Sequence, residues 1–433
     1  MSAPAEKLGP IALAPGVTRR HVLCYLFAAL VSIGLFTYLV ALTPYVMRVH
    51  LSLPEARHGT VAGWLQFWQE IVLLSVIGLW GALSDRIGRR AVYIAGFAIC
   101  AAAYVLYPLA SGTSELLAYR LVFGVGIAAM AAMLATVLAD YPAEDSRGKL
   151  IGLAFFLNGV GSVAFFVFMT RLPTFYAAHG ADDIAAGRYA YFTVAAIALL
   201  AAVVMLGLKP GRPDQIAQRE SIWRLAASGL NAARNARIAL AYGSAFAARA
   251  DMALISLFLS LWVMQSAVAQ GSTSTAAAAQ VGATIGIAQG AAVLWAPLFG
   301  WLGDRMDRTW HLALAFALGV VGYGWIAAID NPLAGTATFA LIALGIGQSS
   351  TILASTLLLG QEAPVTLRGS IFGVQSFIGG LGILAISAVG GRLFDAFGAH
   401  SPFLLMAIAN GVVLLWAALL AVARPEAQTV HAR

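Results

Sequence analysis

Residues 81–90 read Gly81-Ala82-Leu83-Ser84-Asp85-Arg86-Ile87-Gly88-Arg89-Arg90, a short charged stretch between two long apolar runs. The runs, near 59–80 and 91–110, each have about the ~20 residues that an α-helix needs to span a bilayer. The decapeptide is therefore predicted to be a tight connection at a membrane face. Asp85 follows the end of the first helix, where the helix dipole disfavours a carboxylate by ~0.3–1 kcal/mol. We expect a compensating partner for it, and three arginines are near.

The composition excludes a water-soluble globular protein. Of 433 residues, 61% are hydrophobic and 10% are charged, whereas soluble domains carry ~25% charged residues. The first apolar run continues to about residue 45 and is too long for the ~7–15-residue core of a cleavable signal peptide, so we interpret it as a retained first helix. The chain is predicted to be a multi-pass protein of the lipid bilayer.

The net charge of +7 reflects an uneven distribution of Lys and Arg between the predicted loops. If the helices alternate in direction, one face holds most of them, and the other holds few, such as Arg57 and Arg188. The positive-inside rule then places both termini in the cytoplasm. The basic excess is explained by membrane topology, and no nucleic-acid partner is expected. The residues assigned to the cytoplasmic face are Lys7, Arg19, Arg20, Arg86, Arg89, Arg90, Arg147, Lys149, Lys209, Arg212, Arg219, Arg224, Arg234, Arg237, Arg305, Arg308, Arg368, Arg424 and Arg433.

About twelve apolar runs are long enough to span a bilayer. They lie near 22–45, 59–80, 91–110, 115–139, 149–171, 188–208, 238–266, 280–302, 310–328, 333–359, 369–392 and 401–423. The longest polar interruption follows the sixth run and contains a helix-compatible stretch near 222–230 that suits the inner membrane surface. The predicted organisation is a cytoplasmic tail at 1–21, a six-helix bundle at 22–208, a cytoplasmic linker at 209–237, a second bundle at 238–423 and a tail at 424–433.

The two halves repeat each other in sequence. The charged connection recurs at a shift of 219 residues (304 − 85), with Gly81, Asp85, Arg86 and Arg89 matched by Gly300, Asp304, Arg305 and Arg308. Further matches follow at a shift of 221 (345 − 124), namely Gly124, Gly126, Arg147, Gly148, Gly152, Gly159 and Gly161 with Gly345, Gly347, Arg368, Gly369, Gly373, Gly380 and Gly382. An ordered series at nearly one offset indicates an internal duplication. Asp307 stands where the second copy would have the equivalent of Gly88.

The decapeptide and the repeat resemble the major facilitator superfamily of secondary transporters, whose signature loop joins helices two and three. The resemblance implies an all-α membrane protein with twelve transmembrane helices in two pseudo-symmetric six-helix bundles. It also implies that Asp85 docks on the start of the eleventh helix and latches the halves in the outward-open state. Asp140 and Arg147 resemble the family's connection between helices four and five and are assigned to the same latch. The predicted latch residues are Gly81, Asp85, Arg86, Gly88, Arg89, Asp140, Arg147, Gly300, Asp304, Arg305 and Arg308.

Two carboxylates are predicted near the middle of apolar helices, where an ionisable group costs several kcal/mol unless it is partnered or faces a cavity. Glu70 lies on helix two, one turn from Gln66, and Asp251 lies on helix seven, two residues after Arg249. Burial favours the protonated form of a carboxylate, whereas a nearby guanidinium favours the ionised form. A carboxylate and an Arg that pair in only one conformation would therefore couple protonation to alternating access. We predict Asp251 as the first and Glu70 as the second proton-coupling residue. Structural pairing inside the bundle is the alternative for both.

Arg120 begins a pattern of an arginine followed by spaced glycines that resembles the fourth helix of the family, in which this Arg is commonly tied to substrate or proton handling. The alternative is that its side chain reaches the outer interface. In the family, helices one, four, seven and ten line the cavity most directly. The candidate substrate contacts are therefore Tyr38, Thr37, Tyr45, Arg120, Met133, Arg249, Asp251, Trp262 and Gln348, with residues 349–351, Asn158, Gln289 and Gln375 as further wall residues. Tyr38, Arg249 and Asp251 are favoured among them.

These features predict a secondary active transporter that moves a small polar, zwitterionic or anionic organic solute by alternating access, coupled to protons. Drug efflux by proton antiport is an alternative, although residues 158–162 lack the proline of the Gly-Pro motif usual in helix five of such antiporters. A membrane substrate sensor with a transporter fold is a second alternative. No nucleophile–base constellation, metal-ligand spacing or phosphate-binding loop is visible in the sequence, so no enzyme activity, metal or cofactor is expected.

The basic residues also hint at the source of the protein. Of 26 basic residues, only Lys7, Lys149 and Lys209 are lysines, and alanine is abundant, which is typical of a GC-rich bacterial sequence. The expected location is the inner (cytoplasmic) membrane, and the expected functional form is a monomer.

Overall fold

The computed structural model describes residues 6–211 and 222–423, which are almost entirely helical. Parts of the predicted tails and linker, at 1–5, 212–221 and 424–433, lie outside the described residues. An antiparallel hairpin of β1 Lys7–Leu8 and β2 Ile11–Ala12 precedes the helices. The helices are α1 Arg19–Tyr45, α2 His58–Ile87, α3 Arg89–Leu106, α4 Thr113–Asp140, α5 Arg147–Phe168, α6 Leu172–Ala178, α7 Asp183–Val204, α8 Ile222–Asn231, α9 Ala236–Leu254, α10 Ser260–Ala269, α11 Ser274–Gly303, α12 Arg308–Ala327, α13 Ala337–Glu362, α14 Arg368–Phe397 and α15 Ser401–Ala423.

Within the described part of the chain, twelve helical spans are long and apolar enough to cross a membrane, as the apolar runs predict. They contain 20 to 35 residues, and at 1.5 Å per residue even 20 residues reach the ~30 Å of a hydrocarbon core. The fifth span combines α5 with α6, and the seventh combines α9 with α10. The spans are Arg19–His50, Glu55–Ile87, Arg89–Leu109, Thr113–Asp140, Glu144–Ala178, Asp183–Gly207, Ala236–Ala269, Ser274–Gly303, Arg308–Ala327, Ala337–Glu362, Arg368–Phe397 and Ser401–Ala423.

The first span begins at Arg19, three residues before its predicted start. The Thr18 hydroxyl oxygen accepts a hydrogen bond from the His21 backbone N–H (3.4 Å), and the Thr18 backbone N–H donates to His21 Nδ1 (3.1 Å). This reciprocal capping satisfies two backbone groups that a helix start would otherwise leave unbonded. Residues 6–17, part of the predicted tail, form the β1–β2 hairpin and its extension.

Contacts within the chain define two compact units. The first unit comprises residues 1–217 and 263–286, and the second comprises 218–262 and 287–433. The first unit therefore includes the end of the seventh span and the beginning of the eighth, which the sequence repeat assigns to the second half. Inside this unit, Thr174 Oγ1 donates to the Thr275 carbonyl (2.7 Å), and Gly282 packs against Thr170. Both contacts join the 263–286 segment to the end of the fifth span.

Each unit contains the same close crossing of two helices. In the first unit Gly161 of α5 packs against the Leu30 carbonyl of α1, and in the second unit Gly382 of α14 packs against the Phe246 carbonyl of α9. The two glycines are 221 residues apart (382 − 161), which is the shift of the sequence repeat. A Cβ atom at either position would overlap the carbonyl oxygen. Small residues at such crossings let helix backbones approach closely in a membrane.

Replacing Gly161 by Leu should destabilise the protein, because the new side chain meets the α1 backbone. Overpacking of this kind typically costs ~1–3 kcal/mol, so we expect a lower thermal unfolding temperature in detergent. Gly152 lies on the same helix and faces open space, which makes Gly152→Leu the matched control, expected to unfold at or above the temperature of the unchanged protein. An equal fall of the unfolding temperature in the two variants would contradict the close crossing of α5 and α1.

Candidate transport site

Arg89 connects the signature loop to the end of α4. Its Nη1 donates to Asp85 Oδ1 (2.6 Å), its Nε donates to Asp140 Oδ2 (3.1 Å), and it also contacts the Ser84 hydroxyl. Gly88 has a φ of +96°, a conformation that favours glycine, and it turns the chain between α2 and α3. The structure thus brings together Asp85, Arg89 and Asp140 of the predicted latch. Arg89 supplies a counter-charge at the helix end where one was expected for Asp85.

The second copy of the loop has a simpler charge arrangement. Arg308 Nη2 donates to Asp304 Oδ1 (3.0 Å), and Arg305 stacks on a tryptophan ring at 3.7 Å. Asp307, which replaces the glycine of the first copy, accepts two backbone N–H groups at the start of α12 (2.8 and 2.9 Å). The replacement therefore provides a helix N-cap.

The other predicted latch residues lie at the ends of helices or within them. Arg86 is exposed at the end of α2, and Arg147 is exposed at the start of α5. Gly81 and Gly300 lie within α2 and α11. The docking of Asp85 on the eleventh helix stays a prediction.

Arg120 of α4 lies inside the first unit with no exposed surface. Its Nη2 donates to Gln66 Oε1 of α2 (3.0 Å), and its Nη1 donates to Thr43 Oγ1 of α1 (3.4 Å). The Tyr107 ring centroid is 6.0 Å from the guanidinium carbon, at the limit for a cation–π contact. Among the described residues no carboxylate oxygen lies within 4 Å of the guanidinium, and its Nε has no acceptor. The side chain points into the bundle rather than to the outer interface.

Buried tyrosines from three helical spans pack together, and one of them, Tyr107, lies beside this guanidinium. They are Tyr38 of α1, Tyr104 and Tyr107 of the third span, and Tyr191 of α7. The Tyr191 ring centroid is 5.8 Å from that of Tyr38 and 5.8 Å from that of Tyr107. The hydroxyls of Tyr38 and Tyr191 have no hydrogen-bond partner in the described part of the chain. The cluster therefore combines a positive charge with two unused hydroxyl groups.

The remaining candidates of the first half are buried as well. Thr37 Oγ1 donates to a carbonyl of its own helix (2.8 Å), and the Tyr45 hydroxyl donates to the backbone carbonyl at the start of α7. Met133 is fully buried in α4, and Glu70 is buried in α2. The hydroxyls of Thr37 and Tyr45 are thus already used within the bundle.

Asp251 of α9 has no exposed surface in the second unit. Asn410 Nδ2 of α15 donates to Asp251 Oδ1 (3.0 Å), and Thr351 Oγ1 of α13 donates to Asp251 Oδ2 (3.3 Å). The Tyr323 hydroxyl of α12 approaches the same carboxylate without reaching hydrogen-bond geometry. Among the described residues no Lys, Arg or His nitrogen lies within 4 Å of Asp251. Asp251 is therefore a buried carboxyl group surrounded by neutral polar groups from three neighbouring helices.

The other candidates of the second half make different side-chain contacts from those of Asp251. Arg249 is exposed and its side chain passes beside Gly379 of α14. The Trp262 ring lies against an aromatic ring of α15 at 5.7 Å, and Gln348 Oε1 accepts from Gln289 Nε2 (3.5 Å). No group of three or more His, Cys, Asp or Glu side chains in the described ranges is arranged to hold a metal ion.

A family model described as the Major Facilitator Superfamily matches residues 22–387 and, in a second match, 241–433. The chain belongs to the major facilitator superfamily. Its fold and family are those of a multi-pass membrane transporter, which implies a small-molecule substrate.

Relatives of this superfamily member include magnetosome proteins of Paramagnetospirillum magneticum. It is 27% identical over 407 residues to MamH, with 92% of each chain covered. It is 27% identical over 399 residues to MamZ, covering 88% of this chain and 59% of MamZ. Among solved structures, a variant of the nucleoside transporter NupG has a TM-score of 0.75 at 14% identity, covering 92% of this chain and 99% of that one. The D-xylose-proton symporter has a TM-score of 0.70 at 14% identity, covering 92% and 96%. These structural likenesses show the fold alone.

The sequence-based candidates for this superfamily member omit several residues of the two buried clusters. Asn410 carried a usable signal, because an amide within the long apolar run of α15 is costly without a partner. Tyr107, Tyr191 and Tyr323 carried no such signal, since aromatic residues are common in apolar helices for packing alone.

Replacing Asp251 by Leu should destabilise the protein, because one amide hydrogen of Asn410 loses its acceptor at a cost of ~1–3 kcal/mol. Asp251→Asn retains an acceptor oxygen and should cost less. The double variant Asp251→Leu/Asn410→Leu removes both partners, so its loss should be smaller than the sum of the single losses. Thermal unfolding in detergent of the unchanged protein, Asp251→Leu, Asn410→Leu and the double variant measures this coupling. Additive losses would contradict the Asp251–Asn410 bond.

Proposed function

We propose that this protein is a secondary active transporter that moves a small polar, zwitterionic or anionic organic solute by alternating access and couples it to protons through Asp251. The observation that best supports proton coupling is the Asp251 carboxyl group, buried among neutral donors with no cation within 4 Å in the described part of the chain. Superfamily membership supports transport. The fold shared with a D-xylose-proton symporter is in keeping with protons as the coupling ion.

The surroundings of Asp251 suit a group that gains and loses a proton. Burial disfavours the ionised carboxylate, whereas the hydrogen bonds from Asn410 and Thr351 favour it. The hydroxyls of Thr351 and Tyr323 can instead accept a hydrogen bond from the protonated acid. Both protonation states thus have partners in one cluster, on α12, α13 and α15. A change of protonation at Asp251 therefore alters which of these helices it is hydrogen-bonded to. A proton shifts a conformational equilibrium only if the two conformations bind it differently, and these hydrogen bonds provide that difference.

Arg120 provides the complementary feature in the first unit. A buried guanidinium without a bonded carboxylate favours an anionic group nearby, because an unpaired buried charge is costly. The unused hydroxyls of Tyr38 and Tyr191 add donors that suit carboxylate oxygens. We therefore favour solutes with an anionic group over lipophilic cations, with Arg120 as the residue that attracts them.

The proposed location is the inner membrane of a bacterium, with both termini in the cytoplasm. The distribution of Lys and Arg between alternate loops supports this orientation. The proposed functional form is a monomer.

A thermal-shift screen tests the solute class. We expect citrate or glutamate, rather than xylose, uridine or tetraphenylphosphonium, to raise the unfolding temperature at pH of about 6 and 8, since a ligand at 100 times its Kd stabilises by ~2.7 kcal/mol. Arg120→Gln should abolish the shift, and Arg57→Gln, at an exposed arginine of the same unit, should retain it. A shift with tetraphenylphosphonium that depends on Glu70 or Asp251 would favour drug efflux instead.

Transport of the stabilising solute into proteoliposomes under an imposed pH gradient tests the coupling. Asp251→Asn should abolish uphill accumulation but retain solute exchange across the membrane, because the amide fills the same space and carries no exchangeable acidic proton. Asp330→Asn, at an exposed carboxylate, is the control and should accumulate solute normally. Undiminished accumulation by Asp251→Asn would rule out the assigned role.

A further inference from the structure

The segment before α1 is bound to the connection between α4 and α5. The Ala12 backbone N–H donates to Ser146 Oγ (3.0 Å), and the Ala12 carbonyl accepts from the Ala143 N–H (2.9 Å). The Ala14 N–H donates to the Tyr141 carbonyl (2.9 Å). Backbone bonds on both sides of residue 13 therefore join this segment to residues 141–146. We name residues 6–17 the N-terminal strap.

Apolar burial and a helix-end contact also hold the strap. Its buried apolar side chains are those of Ile11, Leu13 and Val17, at 4%, 1% and 5% exposure. Leu13 also forms an antiparallel β-bridge with Pro142. At the other end, the Glu6 carboxylate accepts from the Arg19 backbone N–H (2.9 Å) at the start of α1, where the helix dipole favours a negative charge. The strap is thus a folded part of the first unit.

The backbone that the strap binds adjoins the ion network of the signature loop. Asp140, which accepts from Arg89 Nε (3.1 Å), immediately precedes Tyr141, and consecutive Cα atoms are ~3.8 Å apart. Tyr141 is also bound through its side chain, since its hydroxyl accepts from the Lys209 backbone N–H (3.1 Å). Tyr141 is 3% exposed. It is held by the strap at its backbone carbonyl and by Lys209 at its hydroxyl.

We propose that the N-terminal strap positions Asp140 for Arg89 and thereby orders the loop at residues 84–92. In the described residues, hydrogen bonds from the strap reach α1, α5 and the α4–α5 connection, and none reaches 84–92. We assign its influence on that loop to Asp140 and Arg89. Residues 209–211, which lie beside Gly16 and Gly88, form a second route, and multiplicative effects of substitutions in the strap and at Asp140 would reveal it.

The strap matters because a surface ion pair contributes little unless its partners are held in a fixed geometry. The Asp140 side chain is 44% exposed, and α4 ends at this residue. Without the strap, Asp140 would lie in a fraying helix end. Since hydrogen bonds and three apolar side chains hold the strap, it can detach while the spans stay folded. Detachment then loosens the signature loop without unfolding the unit.

Hydrogen–deuterium exchange of the full-length protein in nanodiscs, without added solute, tests this inference. Leu13→Asp places a charge in the buried contact and should speed exchange about fivefold at 84–92 as well as at 141–149, since ~1 kcal/mol, the usual contribution of a hydrogen bond, corresponds to about a fivefold change in an equilibrium constant. Asp140→Asn should speed exchange at 84–92 but leave residues 6–17 protected. The double variant Leu13→Asp/Asp140→Asn should exchange no faster at 84–92 than Asp140→Asn alone, because both substitutions act through the Asp140–Arg89 contact.

Pro15→Asp is the matched control, because it introduces the same charge at an exposed position of the strap, and it should leave exchange at 84–92 unchanged. Deletion of residues 2–14 removes every strap residue that is hydrogen-bonded to 141–149 and should reproduce the Leu13→Asp effect. Faster exchange confined to 141–149 in both strap variants would overturn the inference, as would multiplicative effects of Leu13→Asp and Asp140→Asn at 84–92.

Discussion

A peptide group within a bilayer has no water to bind, so each must form its hydrogen bond inside the protein. In the described part of this chain, long helices meet that requirement in all twelve candidate spans. What remains to be decided is how the helix faces pack, and lipid provides no hydrophobic driving force for their association. Close backbone contact at Gly161 and Gly382 provides the same solution in each unit. The sequence repeat thus corresponds to a repeated helix crossing. Polar side chains must find their partners within the helix packing that this crossing sets.

The buried polar groups depart from this repetition. Arg120 would correspond to Leu341 at the shift of 221 residues (341 − 120), and Asp251 would correspond to Leu30 (251 − 30). One unit therefore contains a buried guanidinium and the other a buried carboxyl group, although their backbones share a plan. Because ionisable groups in apolar surroundings are costly, such differences between otherwise similar copies are the natural place to look for chemistry. Fold similarity does not supply this information, since one fold serves many substrates.

The two copies of the charged loop differ in a similar way. In the first copy Arg89 binds two carboxylates, and one of them, Asp140, ends α4 immediately before the connection to which the N-terminal strap is bonded. In the second copy Asp304 is largely exposed, and Asp307 serves as a helix cap. The same motif thus forms a network joining separate segments in one unit and a mostly local set of contacts in the other.

The number of spans, the internal repeat and the need of Asp85 for a partner could be derived from the sequence, because they depend on composition and on residues near each other in the chain. Arg89 lies only four residues from Asp85, so the sequence alone identified it as a candidate partner. Asn410 lies 159 residues from Asp251, and the partners of the strap in the α4–α5 connection lie more than 120 residues away from it. Such pairs depend on which helix faces meet. Membrane helices are apolar nearly all round, so the periodicity that reveals the buried face of a soluble helix is weak in them. Local sequence therefore determined that these helices form and where they begin and end, to within several residues, and only the tertiary packing decided which polar groups lie together.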